Sequence, residues 1–197
     1  GDIFYKEKNL TDLSERELRR LCGTEIAMIF QDCKAALCTI RTIGDQIYES
    51  MREHKKISRK ETERQVGEIM EKIGLHDYER ILKSYPFELS GGMNQRVGIC
   101  MAMMHHPAVL LADEPTSALD VTVQKQVAEE LKMMREAYHT AMILVTHNIG
   151  LVRAMADQIL VLKDGETMEY GERERVLNHP ENEYTKQLMD SVLHLKR

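Results

Sequence analysis

The chain has 197 residues, enough to bury a sizeable core in one large domain or in one domain carrying an inserted lobe. With 30% charged and 43% hydrophobic residues and a formal net charge of −5, it has an ordinary globular composition and lacks the basic balance of a general nucleic-acid binder. No apolar run approaches the ~20 residues of a membrane span, and the opening GDIFYKEKNL has no apolar core of a signal peptide.

The first ten residues alternate Ile3 and Tyr5 with polar neighbours, which predicts an edge strand; a start inside a strand, with no cap or turn before it, reads as a cut. Ser14-Glu15-Arg16-Glu17 is a capping box opening a short helix to about Leu21. Glu25 to Phe30 is a buried-type strand that ends at Gln31-Asp32. From Lys34 to about His106 the pattern is helical. Ile43, Ile47 and Met51 form a stripe within 42–54, and Ser58 to Glu61 is a second capping box. The helix behind it places Val66, Ile69, Met70 and Ile73 on one face and stops at Gly74. The basic group Lys55, Lys56, Arg59 and Lys60 stands beside Glu61 and Glu63 and reads as a solvated helix end. Pro86 closes the next short helix and Ser90 opens a longer one.

Strand and helix then alternate: strand 108–113, helix 121–138, strand 141–146, short helix 149–156, and strand 158–163. Asp164-Gly165 is a hairpin signal leading into 166–170, and terminal helices follow at 172–177 and 184–195. This is the rhythm of a parallel sheet flanked by helices. The four cysteines, Cys22, Cys33, Cys38 and Cys100, form no C-x-x-C pair or zinc-type cluster, so they read as thiols of a reducing compartment. Thirteen methionines and no tryptophan indicate an adaptable, thioether-rich core.

The stretch Leu89 to Asp120, LSGGMNQRVGICMAMMHHPAVLLADEPTSALD, concentrates the chemistry. Its strand, Val109 to Pro115, brings two carboxylates to a carboxyl end, where open α/β sheets bind ligands. Asp113 there can hold Mg²⁺, and Glu114, directed the other way along the strand, can polarise a water; taken alone, Asp-Glu-Pro equally marks a turn. His147 follows another strand at the same sheet edge, where it can hydrogen-bond a terminal phosphate; alone, it also reads as a capping or core residue. Ser90-Gly91-Gly92 at a helix start lets backbone N–H groups meet an anion, or is simply an N-cap and turn.

The ordered set of Gln31, LSGGMNQR (Leu89 to Arg96), VLLADEP, SALD (Ser117 to Asp120) and VTH (Val145 to His147) resembles the ATP-binding cassette (ABC) ATPase of membrane transporters over nearly the whole chain. That resemblance implies an α/β P-loop NTPase core of RecA-like, ABC type, formed by 1–33 and 107–197 with the carboxyl-terminal helices, and an inserted helical signature subdomain at 34–106. It implies that Gln31 is the Q-loop residue, contacting water and metal. Ser90, Gly91 and Gly92 become the signature that faces ATP, Asp113 the metal-binding Walker B carboxylate, and Glu114 the general base. Asp120 becomes the D-loop aspartate and His147 the switch histidine. The implied cofactors are ATP and Mg²⁺. The implied partners are a second cassette and transmembrane permease subunits, which hold the protein peripherally at the cytoplasmic face of the cell membrane.

Met93, QD…L…TIGDQI (Gln31 to Ile47) and NHPENEYTKQL (Asn178 to Leu188) are similar to the dipeptide, oligopeptide and nickel importer subfamily. Cys33, Cys38, Thr39 and Asn94 depart from it, the first three where Pro, Asn and Pro are common and the last where Arg is usual. None of the eleven glycines is followed by lysine, so the phosphate-cradling G-x-x-x-x-G-K-[ST] is absent from this chain. In the family that motif lies before the edge strand, so the resemblance implies a cassette without its first strands and P-loop. Such a chain is expected to bind Mg-ATP poorly alone and to be marginally stable. Two other functions stay open beside an importer ATPase: a non-catalytic partner that supplies only its signature face, and a soluble cassette ATPase of repair or translation.

Overall fold

A computed structural model describes residues 1–117 and 119–193. Its first residues form a tight hairpin, β1 (Phe4–Tyr5) against β2 (Lys8–Asn9), and not the single edge strand that the alternation predicts. The reason is local: Lys6 and Glu7 take left-handed backbone conformations, φ 44° and 59°, and reverse the chain. Ile3 and Phe4 are left exposed and Tyr5 is only half-buried. After a 3₁₀ turn at Leu10–Asp12, Ser14 caps α1 (Glu15–Leu21) with the expected reciprocal box. The Ser14 hydroxyl and N–H groups both reach the Glu17 carboxylate and hold its pKa below the usual range.

The strand β3 (Ile26–Ile29) then gives way to helices. Thr42 caps α2 (Ile43–His54), where Ile43, Ile47 and Met51 are buried as the four-residue stripe requires. Ser58 caps α3 (Arg59–Lys72), but only half of the expected box forms, because the Glu61 carboxylate is taken by Arg64 and Gln65. Val66, Ile69, Met70 and Ile73 are buried together, and Gly74 leaves the helix at φ +73°. The next helix, α4 (Tyr78–Lys83), ends before Pro86, which starts a 3₁₀ turn (Pro86–Glu88) where its missing N–H costs nothing. In α5 (Gly91–Met103), Val97, Ile99, Cys100 and Met103 are buried, and the helix packs against β3.

The frame that holds the chemistry is three parallel strands in the order β3–β4–β5, with β4 at Val109–Asp113 and β5 at Ala141–Val145. Between the last two runs the crossover helix α6 (Val121–Tyr138), closed by His139 at φ 53°. Register puts Ala27 beside Leu110 and Ile29 beside Ala112, all four buried on one face. On the other face Met28 lines up with Leu111 and Ile143, and Met28 and Ile143 are exposed.

Two compact units divide the chain, Gly1–Val145 and Thr146–Arg197. The second contains α7 (Ile149–Met155), the hairpin β6 (Gln158–Lys163) and β7 (Glu166–Glu172), α8 (Arg173–Asn178) and α9 (Glu183–Leu193). Asp164 and Gly165 turn the hairpin with positive φ at both positions, as a type I′ turn needs. Ile159, Val161, Val176, Leu177 and Met189 form the unit's own core. The last two residues expected for the final helix, 194 and 195, lie outside the described residues. No described helix is long and apolar enough to cross a membrane.

Candidate functional site at the carboxyl edge of the sheet

The carboxyl ends of β3 and β4 bring the first group of residues to one edge. Ile29 pairs with Ala112, so Gln31, two residues beyond it, and Asp113, one beyond Ala112, both stand at the carboxyl edge of the sheet. Gln31 is exposed and Asp113, opposite Val145 of β5, is half-buried. Glu114 does not continue the strand with an alternating side chain, as the sequence pattern predicts. Its backbone is left-handed, φ 44°, so the chain turns sharply straight after Asp113. Its N–H still donates to the Val145 carbonyl at 2.8 Å, and its own carbonyl accepts from the Ser117 N–H at 3.0 Å and the Ser117 hydroxyl at 2.9 Å. A left-handed non-glycine residue is costly unless several contacts determine it, and such residues cluster at working sites.

The second group stands at the start of α5. The Ser90 side chain accepts from the Met93 N–H at 3.2 Å, while Ser90 and Gly91 are exposed and a Cβ on Gly91 would meet nothing within 4 Å. The space over this helix start is therefore open to an anion. Gly92 is different: a Cβ there would stand 3.0 Å from Cγ1 of Val123. That close approach sets the first turn of α5 against the first turn of α6, which exposed Asp120 caps by accepting from the Val123 N–H at 3.0 Å.

Three residues that follow the glycines carry more of the site than their sequence signal suggests. Asn94, 1% exposed, donates to the carbonyls of Pro86, Leu89 and Ser90 at 2.9, 3.2 and 3.2 Å. Gln95, 5% exposed, donates to the Pro115 carbonyl at 2.6 Å. Arg96 forms a buried ion pair with Glu130 of α6. Their one visible signal is three polar residues in succession within an otherwise apolar, buried helix. Among the departures from the importer pattern, Cys33 is buried and its thiol is pushed up to about 11, chiefly by burial. Cys38 is exposed, and its backbone is held in both directions by the Gln46 amide.

His147 lies in the second unit, exposed in the turn before α7. Thr146 and Asn148 shape that turn: the Asn148 N–H donates to the Thr146 hydroxyl, and the Asn148 side chain caps α7 at Leu151. Among the described residues no three His, Cys, Asp or Glu side chains gather as a metal cage. Asp113 and exposed Gln31 are the oxygen donors at these strand ends whose chemistry fits a cation such as Mg²⁺, which takes one or two carboxylates and fills its shell with water and phosphate oxygens.

Residues 1–117 match the family described as ABC transporter. The chain is 42% identical over 192 residues to the dipeptide transport ATP-binding protein DppD of Bacillus subtilis, covering 98% of this chain and 57% of that protein. It is 39% identical over 191 residues to the metal-staphylopine import system ATP-binding protein CntD of Staphylococcus aureus, covering 97% of this chain and 70% of that one. Against the glutathione import ATP-binding protein GsiA of Salmonella choleraesuis the identity is 38% over 197 residues, covering 32% of that protein. The dimeric, post-hydrolysis structure of the ATP-binding cassette MJ0796, bound to ADP and Pi, superposes with a TM-score of 0.77 at 28% identity, over 88% of this chain and 73% of that one. The chain thus spans little more than half the length of DppD and a third of GsiA, yet nearly all of it is matched. With a family match over residues 1–117, relatives aligned along nearly its whole length and a shared cassette fold, the chain belongs to the ABC transporter family.

Proposed function

We propose that this chain forms part of the ATP-binding and ATP-hydrolysing subunit of an importer for peptides or for a metal such as nickel. The observation that carries the reading is the Asp113–Glu114 turn, where one carboxylate residue ends a parallel strand and the next turns the chain with a left-handed backbone. In this reading Glu114 is the general base that orients and deprotonates the attacking water, with His147 assisting at the terminal phosphate. Asp113 and Gln31 would hold Mg²⁺, which when bound neutralises charge on the phosphates. Ser90, Gly91 and Gly92 would face ATP from the open start of α5, and Asp120 would stand at the cassette–cassette contact. The relatives' roles in dipeptide transport, metal-staphylopine import and glutathione import support peptide-like or metal-chelate cargo.

Residues 34–106 are read as a helical lobe inserted into a core made by 1–33 and 107–197. A permease subunit would seat on this lobe near Gln31 to Gly44. Support comes from Ile40, 83% exposed, and from the stacked, exposed pair Tyr85 and Phe87, which the bond from the Ile43 N–H to the Ser84 carbonyl brings beside that segment. A second cassette would complete the nucleotide site, and the assembly would hold this subunit at the cytoplasmic face of the membrane. The test is Glu114→Gln in the intact protein. ATP binding should persist while turnover falls by ~100-fold or more; unchanged turnover would remove Glu114 from its role.

A further inference from the structure

Two neighbouring buried amides of α5 face two different turns. Asn94 gathers the carbonyls of Pro86, Leu89 and Ser90, the segment that delivers the chain to the Ser90–Gly92 turn. Gln95 reaches in another direction and donates to the carbonyl of Pro115, the residue after Glu114. We propose that Gln95 is a positioning residue for Glu114, and that the Asn94–Gln95 pair links the serine-glycine turn to the turn that aims Glu114, so that fixing the first fixes the second. The proposal rests on the reading of Glu114 as general base and of Ser90–Gly92 as nucleotide-facing.

The backbone at Glu114 needs outside support. Its left-handed conformation relaxes unless the surroundings hold it. The two bonds from Ser117 are local and move with the turn. The bond to Val145 ties Glu114 to the sheet, and the Gln95 bond ties the following peptide to the signature helix. A 2.6 Å bond with a donor that is 5% exposed is formed away from competing water, and losing the donor strands a carbonyl. Gln95 is buried, so it acts through Glu114 and does not touch nucleotide. Gly92, where a Cβ would stand 3.0 Å from Cγ1 of Val123, sets the same helix start closely against the helix that Asp120 caps. Displacement of the α5 start by a bound phosphate is therefore transmitted to Glu114 through one side chain.

The experiment uses the intact protein and compares Gln95→Met, which keeps length and volume but donates no hydrogen bond, with Glu114→Gln. Gln95→Met should lower kcat for ATP ~10- to 100-fold with KM changed less than about twofold, and should add little further loss in the double variant. Amide exchange at Thr116 and Ser117 should quicken in Gln95→Met. A folded Gln95→Met protein with wild-type kcat and wild-type exchange overturns the coupling while leaving Glu114 as the base. Wild-type turnover in Glu114→Gln instead overturns the underlying reading. If Gln95→Met does not fold, exchange in the unmodified protein decides. Mg-ATP should slow the amides of Met93 and Ser117 together; slowing at Met93 alone overturns the proposal.

Discussion

Cys33 and Gly98 occupy each other's space. A Cβ on Gly98, in the middle of α5, would stand 2.6 Å from the Cys33 sulfur and 3.1 Å from its Cβ, closer than packed atoms come. Glycine inside a helix costs about 1 kcal/mol relative to alanine, so this one is explained by the loop after β3 lying directly on the helix. Cys33, a departure from the importer pattern, is thus part of how the segment after Gln31 docks on α5.

Gly98→Ala should therefore destabilise the protein, by about 1–3 kcal/mol, although the same exchange on an open helix face stabilises. Adding Cys33→Ala should recover most of the loss, because it removes the sulfur and leaves a methyl group. Chemical denaturation of the two single variants and the double variant measures this coupling directly. A Gly98→Ala protein more stable than its parent would contradict the contact.

Arg96 and Glu130 join α5 to α6 with side chains that are 13% and 8% exposed. Burial raises the Glu130 pKa and Arg96 pulls it back. Replacing Arg96 by Met strands a buried carboxylate and should cost about 3–5 kcal/mol, whereas Arg96→Met with Glu130→Leu should cost much less. Equal losses in the single and double variants, by thermal or urea unfolding, would show that the pair is not what holds the two helices.

How much of this was legible in the residues depended on whether a partner was local. The bounds of α6 and β6 follow from their apolar periods, and the Ser14 box forms because both partners sit within one turn. The Ser58 box forms by half because Arg64 and Gln65, further along the helix, compete for Glu61. The amino-terminal alternation looked like a strand, but neither Lys6 nor Glu7 signals a left-handed turn as glycine or asparagine would. The site divides in the same way. Asp113 at a strand end and Ser90 at a helix start are placed by local pattern. The turn at Glu114 and the reach of Asn94 and Gln95 are set by Val145, Pro86 and Pro115, partners that no local period identifies.

The cysteines should separate into two classes on alkylation. Cys22 and Cys38 are exposed, while Cys33 and Cys100 are buried with thiols pushed up to about 11 and about 12, in each case chiefly by burial. Since the thiolate is the reactive form, an excess of iodoacetamide at neutral pH should modify Cys22 and Cys38 first, with Cys33 and Cys100 following only on unfolding. Mass spectrometry of partly alkylated protein tests this; early modification of Cys33 would mean that the Gln31-to-Cys38 segment opens in solution.

His105 should make the fold sensitive to mild acid. Its pKa is lowered to about 4 by burial first, then by His54, Lys55 and His106, with a backbone bond to Ser50 acting the other way. His54 meets the ring edge to face at 5.1 Å, and His105 Nε2 is buried without a hydrogen-bond partner. Burial likewise lowers the pKa of His106. A histidine whose folded pKa lies below the unfolded value near 6.5 binds fewer protons when folded than when unfolded between those two values. Its contribution is therefore complete above about pH 6.5 and is lost as pH falls toward 4, amounting to on the order of 2 kcal/mol over that window. His105→Phe keeps an aromatic ring against His54 and removes the titration, so the variant's stability should fall less steeply than the parent's between pH 6.5 and 4. Urea unfolding at half-unit steps across that range measures both slopes, and parallel slopes would place the acid sensitivity in other groups.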